Sequence, residues 1–364
     1  MTHATSTLDL QPGRKVELVV GPGGVGKTTV AAALALRAAI SGRKTVVVTI
    51  DPSRRLAQAL GIEAAAAGTI THVDHGGATL DCLVLDTQRT FDTIVSDHSP
   101  TPAAAEAMLV NPIYRAMVRS LGGALEYAAT AQVQMLAAAG AHDLIVLDTP
   151  PTASAIEFLE APEQIAEVAN NPASKFLSQS SRIGMRFLGL GSGLMLKALE
   201  SIGGGAFIGD LGRFLADFGQ VLVEFQRRAG VLASLLESDS TGVVLTTSAT
   251  ELSVREALAF LGVLRERGLR IDGVVLNRFD DAVPPWPGDA AMLAAVGDAR
   301  AAGRIAELAR ALGGQASVAA QAAAQLRQAW PDTPICTVPR IDPPPVGLAE
   351  LHALATMIWP HVRR

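Results

Sequence analysis

The chain carries Gly-Pro-Gly-Gly-Val-Gly-Lys-Thr-Thr at residues 21 to 29, and no other stretch limits so strongly what it can fold into. Five apolar or extended residues, Val16 to Val20, lead in, and an alanine-rich run from Val30 to Ile40 leads out. The motif therefore sits where a buried strand turns into a helix, the context that a phosphate-binding P-loop requires. Glycines at 21, 23, 24 and 26 let the backbone curl until successive N–H groups face an anion, and the helix adds its positive N-terminal end. In that reading Gly23, Gly24, Val25, Gly26, Lys27, Thr28 and Thr29 form a phosphate site. Lys27 brings a point charge to the β- and γ-phosphates, and the Thr28 hydroxyl can ligate Mg²⁺. The competing reading is a glycine-rich turn that merely contains Lys-Thr, and the flanking strand and helix argue against it. Binding of a nucleoside triphosphate is the expectation.

With 364 residues, 49% of them hydrophobic, the chain can bury a large core as one domain with an insertion or as two smaller ones. Only two cysteines occur, Cys82 and Cys336, both in apolar strand-like runs, which predicts core thiols in a reducing compartment. The N-terminus shows no charged segment followed by an apolar one, and the P-loop arrives early, so a cytoplasmic protein is expected. The most apolar candidate span, Phe187 to Met195, is hemmed in by Arg186 and Lys197 and is rich in glycine, too short to cross a membrane. A net charge of −5 argues against a nucleic-acid partner, which needs a basic face.

Apolar strand-like runs recur at Thr45 to Ile50, Leu80 to Leu85, Leu144 to Leu147, Val243 to Thr246, Ile271 to Leu276 and Pro334 to Val338, with helical stretches between them. Runs without alternation fit strands buried on both faces. The fold class expected is α/β: a doubly wound, mostly parallel sheet with an inserted helical subdomain. The division predicted is a flexible N-terminus at 1–14, a first core part at 15–152, a helical insert at 153–240 and a second core part at 241–364. Helices are expected at roughly 289 to 313 and 316 to 328, and at Leu348 to Ile358. His72, Asp74 and His75 fall in a predicted loop with no further clustered ligands, so no metal site is expected there. The insert is far longer than a strand–helix–strand crossover needs and carries many large apolar side chains, among them Phe187 and Met195. A groove for an apolar client helix, an ordinary subdomain core and a dimer contact all suit that composition.

Two aspartates end buried strands, where ligands of open α/β sheets bind. Asp51, followed by Pro52, can orient a water against a γ-phosphate, or can be an ordinary helix N-cap. Asp148, followed by Thr149-Pro150-Pro151-Thr152, can be the carboxylate behind Mg²⁺ or the cap of the next helix; strand, carboxylate and P-loop together favour the metal role. Asn277 ends another strand, placed for a base edge or for a turn.

These residues together resemble the ArsA-type ATPases, the arsenite-pump and tail-anchored-protein-targeting family that works as nucleotide-sandwiched dimers. The resemblance runs from about Val16 to Trp359 and rests on the P-loop, on Asp51-Pro52 with Leu56, and on Asp148 to Thr152. It also rests on Glu251-Leu252-Ser253 with Glu256, on the Val-Leu-Asn ending at Asn277, and on the proline-rich loop near Pro339. A bacterial branch is suggested by Phe158-Leu159-Glu160-Ala161-Pro162, by Asn111 with Tyr114, and by Glu126-Tyr127.

The resemblance implies an ATP- and Mg²⁺-dependent hydrolase. In it Lys27, Asp51 and Asp148 are catalytic: Thr28 is on Mg²⁺, with Asp51 and Asp148 in the outer sphere of the ion, and Asn277 and Pro339 are on the nucleotide. It also implies an apolar helix or membrane-protein client. The departures count as well. The family's lysine before the Gly-Gly pair, which reaches the partner's nucleotide, is Pro22 here, so a heterodimer with a lysine-bearing paralogue is expected, with a homodimer as the alternative. The alternative function is a nucleotide-binding regulatory subunit with little hydrolysis of its own; a partition or positioning ATPase is a further one. Neither the family's zinc-binding Cys-x-x-Cys pair nor the cysteine trio of metalloid pumps is present, which leaves a soft metalloid without thiolates.

Overall fold

A computed structural model describes residues 7–51, 55–63, 66–120, 124–150, 223–224, 227–228, 230–231, 233–281 and 287–360. The strands are β1 (Val16–Val20), β2 (Thr45–Thr49), β3 (Ile70–His75), β4 (Ala78–Val84), β5 (Leu144–Asp148), β6 (Thr241–Ser248), β7 (Ile271–Phe279) and β8 (Ile335–Pro339). They form one eight-stranded sheet in the order β3-β4-β2-β5-β1-β6-β7-β8. Every pairing is parallel except β3 with β4. The helices are α1 (Lys27–Ile40), α2 (Arg55–Leu60), α3 (Thr87–His98), α4 (Pro102–Val110), α5 (Pro112–Ser120), α6 (Ala124–Ala139), α7 (Glu251–Glu266), α8 (Asp289–Val296), α9 (Ala299–Ala329) and α10 (Leu348–Ile358).

Alternation along the strands builds two cores, one on each face. Leu18, Val20, Val46, Val48 and Leu147 face one way, beneath α3, α6, α7 and α9; Val19, Val47, Val146, Val244 and Val275 face the other, beneath α1 and α10. Strands covered on both sides are why the central runs read as unbroken apolar sequence. Cys82 and Cys336 are buried free thiols whose pKa values burial pushes up, to about 12 and about 11. No helix among the described residues is long and apolar enough to cross a membrane.

Three expectations are corrected. His72, Asp74 and His75 lie in β3, an edge strand paired antiparallel with β4 through the turn Gly76-Gly77, whose φ values of 60° and 81° suit a tight hairpin. There Asp81 takes a contact from His72 Nδ1 at 2.6 Å and from His142 Nε2 at 2.8 Å, clamping the edge hairpin to the segment before β5. Second, α9 runs unbroken through Gly313 and Gly314; the break comes at Gly297, left-handed at φ 74°, after which Asp298 caps α9 by accepting from Arg300 N. Ala316, Ala319, Ala323 and Leu326 are buried, and that packing outweighs the roughly 1 kcal/mol that each helical glycine costs. Third, residues 8 to 10 of the N-terminal segment are held: Leu8 and Leu10 are buried, and Leu8 N donates to Ile358 O at 2.8 Å. The other predicted strands and the terminal helix lie where expected. The insert falls outside the described residues from 153 to 222.

Leu8 also roofs a charged cluster inside the sheet. Glu17, in the middle of β1, is buried with no partner for Oε1. Burial first, then the nearby Asp272 carboxylate, hold its pKa well above the ordinary range, while Arg14 and Arg43 oppose that. Arg14 Nε donates to Asp272 Oδ2 at 2.6 Å. A carboxyl raised in the native state contributes its full stability below its ordinary pKa and loses it as pH rises through the native value. Glu17→Gln should therefore flatten the pH dependence, matching the wild type near pH 4 and exceeding it in stability at pH 8. Chemical denaturation at both pH values measures this; a variant that loses stability with pH as steeply as the wild type refutes it.

Candidate functional site

The P-loop starts where β1 ends. Gly21, at φ 144°, lies so close to β6 that a Cβ there would sit 1.9 Å from the Thr246 carbonyl oxygen, so only glycine fits. Gly26, left-handed at φ 100°, precedes α1, whose first turn has no capping side chain and no acidic residue. Its N–H groups are thus available to an anion. Lys27 Nζ folds back over the loop to donate to the carbonyls of Gly21 at 3.0 Å and Pro22 at 2.9 Å. Burial lowers the lysine's pKa and the charge of Arg55 adds to that, while Asp148 and Asp51 oppose it.

Asp148, the last residue of β5, is buried. Thr49 Oγ1 donates to its Oδ2 at 3.0 Å, and Oδ1 has no hydrogen-bond partner. Burial pushes its pKa up to about 6, against hydrogen bonding by Thr28 and Thr49 and the charge of Lys27, with Asp51 adding a little. The next residue, Thr149, donates through Oγ1 to Val19 O at 2.9 Å and so ties the end of β5 to β1. Asp51 follows β2 and is half-buried, with Arg55 Nη1 at 3.3 Å from its Oδ2.

One cavity of about 810 Å³ gathers these groups: Gly23, Gly24, Gly26, Lys27, Thr28, Thr29, Asp51 and Asp148 all line it. Val25 and Asn277 stand behind that wall, with Asn277 Nδ2 donating to Val25 O at 2.8 Å. The packing is close, since a Cβ on Gly26 would meet Asn277 Nδ2 at 2.5 Å. Pro339 ends β8 opposite Phe279 and is not part of the lining; Pro344, Pro345 and Val346, further along the same loop, are. That loop ends on α2, where Gly347 N donates to Ala59 O at 2.9 Å. Arg55, Gln58 and Arg278 also line the cavity and were not read as site residues from sequence, and Leu125, whose spacing reads as a buried helix face, lines it too. Pro52, Pro151 and Thr152 lie outside the described residues.

An uncapped helix start behind a glycine loop at the centre of a parallel sheet, with a buried lysine and two strand-end carboxylates around one cavity, defines a P-loop nucleoside-triphosphatase class of protein. A family comparison narrows this. Residues 14–284 match the model of the ArsA ATPase family, described as anion-transporting ATPase, and the chain belongs to that family.

Individual relatives agree. A putative arsenical pump-driving ATPase of Chlorobaculum tepidum is 25% identical over 278 residues, 72% of this chain and 60% of the relative. An ATPase get3 of Aspergillus niger is 24% identical over 261 residues, 71% of each chain. An uncharacterized protein of Streptomyces coelicolor, SCO2128, is 35% identical over 149 residues, 41% of this chain and 37% of that protein. The matched region thus spans 60% of the length of the Chlorobaculum relative and 37% of that of the Streptomyces one.

Proposed function

We propose that the chain binds ATP with Mg²⁺, hydrolyses it as one half of a dimer, and uses the nucleotide state to control an apolar client or membrane-associated partner through the helical insert, in the cytoplasm. The observation that carries this reading is the buried Asp148 carboxylate, with Oδ1 unpartnered, sharing a cavity with Lys27 and Thr28. A buried acceptor without a partner costs roughly 1–3 kcal/mol, which suits a group that completes its contacts with a bound ion or its water. The donor set is hard oxygen, the chemistry that Mg²⁺ selects. Thr28 Oγ would hold Mg²⁺ directly and Asp148 through water; when bound, the ion supplies charge neutralisation at the phosphates.

The chain's own residues do the rest. Backbone N–H groups of the loop and the α1 start bind the phosphates, and Lys27 neutralises their charge as ADP oxygen departs from the γ-phosphorus. Asp51, two strands from β1 in the sheet order, holds a water by its hydrogen for attack opposite that bond. The insert is tied to this core at its C-terminal end, where Arg228 donates to Glu224 Oε1 at 2.8 Å and to Gln134 of α6 at 2.9 Å. His98 of α3 lies 3.0 Å from the same carboxylate oxygen. Leu125 of α6 lines the cavity, so movement of that helix is a route from nucleotide to insert.

Pro22 favours a second reading beside this one, a subunit that binds ATP but depends on a lysine-bearing paralogue for turnover. Calorimetry with Mg²⁺-ATP and hydrolysis assays on the chain alone and mixed with such a paralogue test both. Micromolar binding and at least about ten-fold faster hydrolysis in the mixture are expected, since a charge supplied by a partner acts chiefly on the transition state. A rate unchanged by the paralogue removes the unequal dimer, and failure to bind ATP removes the function itself.

A further inference from the structure

Arg278 is the only residue other than glycine with a left-handed backbone among the described residues, at φ 54°. Side chains resist that conformation, and strain of this kind collects at functional sites. It lies where the pairing of β7 with β8 slips between Leu276 and Phe279. A slip of that sort next to a site re-aims a side chain. Asn277 fixes the arrangement from both sides: its Oδ1 accepts from Arg278 N at 2.9 Å while its Nδ2 holds the P-loop at Val25 O. The arginine so placed lines the cavity together with Gly23, Gly24 and Gly26. No carboxylate among the described residues pairs with it, whereas Arg55 faces Asp51 and Arg340 faces Asp280.

The sheet order says what arrives there. Asp148 and Asp51 follow β5 and β2 on one side of β1, and Arg278 follows β7 on the other, with β6 between. Neighbouring strands are about 4.8 Å apart, so the end of β7 lies roughly 10 Å to the side of β1. Phosphates seated at Lys27 and Thr28 beside Asp148 must send their nucleoside toward β7. On the assumption that the nucleotide reading above holds, we infer that Arg278 recognises the nucleotide base, stacking its planar guanidinium on the ring against the apolar side formed by Pro344, Pro345 and Val346. A guanidinium stacks on aromatic faces where a lysine ammonium, a compact point charge, does not.

Calorimetric titration of the full chain with ATP, ADP and inorganic tripolyphosphate, each with Mg²⁺, tests this on wild type, Arg278→Ala, Arg278→Lys and Arg278→Gly. Arg278→Ala should weaken ATP and ADP each by about ten-fold and leave tripolyphosphate unchanged, and Arg278→Lys should behave like the alanine variant. Arg278→Gly relieves the backbone, so without nucleotide it should melt at or above wild type while binding ATP as poorly as the alanine variant. Wild-type behaviour of Arg278→Lys, or a parallel loss of tripolyphosphate, would place the arginine on phosphate and overturn stacking. Unchanged ATP binding in every variant would remove the contact altogether, and a wild type that binds tripolyphosphate but not ATP would sink the nucleotide reading itself.

Discussion

Asp148→Asn should melt higher than wild type in buffer free of nucleotide and Mg²⁺ at pH 8, and should hydrolyse ATP at least about 10²-fold more slowly. Both effects come from one carboxylate. Burial holds its pKa at about 6, above the ordinary 3.8. Its contribution to stability is complete below the ordinary value and is lost as pH rises through about 6, where the native state must carry a buried charge. The loss saturates on the order of 3 kcal/mol, at about 1.4 kcal/mol per pKa unit.

Asparagine has the same shape, can accept from Thr49 through its carbonyl oxygen and never ionises. Lys27 loses a compensating charge in exchange, which trims the gain. The melting temperatures of variant and wild type should therefore converge near pH 4, part between pH 4 and about 6, and stay a constant interval apart above that. A variant that melts below wild type at every pH would show that the carboxylate stabilises the fold. Hydrolysis separates the second effect, because the neutral amide cannot balance an ion at Thr28.

Much of this site was legible because it sits on buried parallel strands. Residues 16–20, 45–49 and 144–148 are covered on both faces, so each appears as a mostly apolar run without alternation, broken only by Glu17 in the first, that ends at or just before Gly21, Asp51 or Asp148. An edge strand has only one covered face, which is why β3, with Thr71, His72, Asp74 and His75 in it, looked like a loop; the Gly76-Gly77 pair was its one local sign. The break at Gly297 rather than at Gly313-Gly314 turns on which glycines are packed into a helix, and helix packing is non-local. Pro339 and Pro344 differ in role through the path of a loop that crosses from β8 to α2, and composition says nothing about a path. Arg278 was hidden for a similar reason. Its importance lies in a register slip and a backbone angle, neither of which residue type announces.

Asp51→Asn should lower turnover by about 10²–10⁴-fold while changing ATP affinity by no more than about three-fold. The substitution isolates chemistry from binding. The order β1, β5, β2 puts Asp148 between the P-loop and Asp51, so in the proposed function the ion and the phosphates would meet Asp148 and Lys27 first and Asp51 would be left with the space beyond the γ-phosphate. Its ion pair with Arg55 is 3.3 Å long and the arginine is 69% exposed, so losing the charge there costs little stability. Asparagine can still accept a hydrogen bond but is a poor acceptor for a water that must shed a proton. The same variant decides between the two readings of Pro22. If this chain hydrolyses ATP, a complex of the variant with a lysine-bearing paralogue should lose half its activity or more, because one of its two sites has no group to align water. If this chain only holds ATP, the complex should turn over as before while ATP still binds both subunits. Single-turnover hydrolysis alongside equilibrium binding distinguishes the two, since a binding defect would lower occupancy before it lowered the rate.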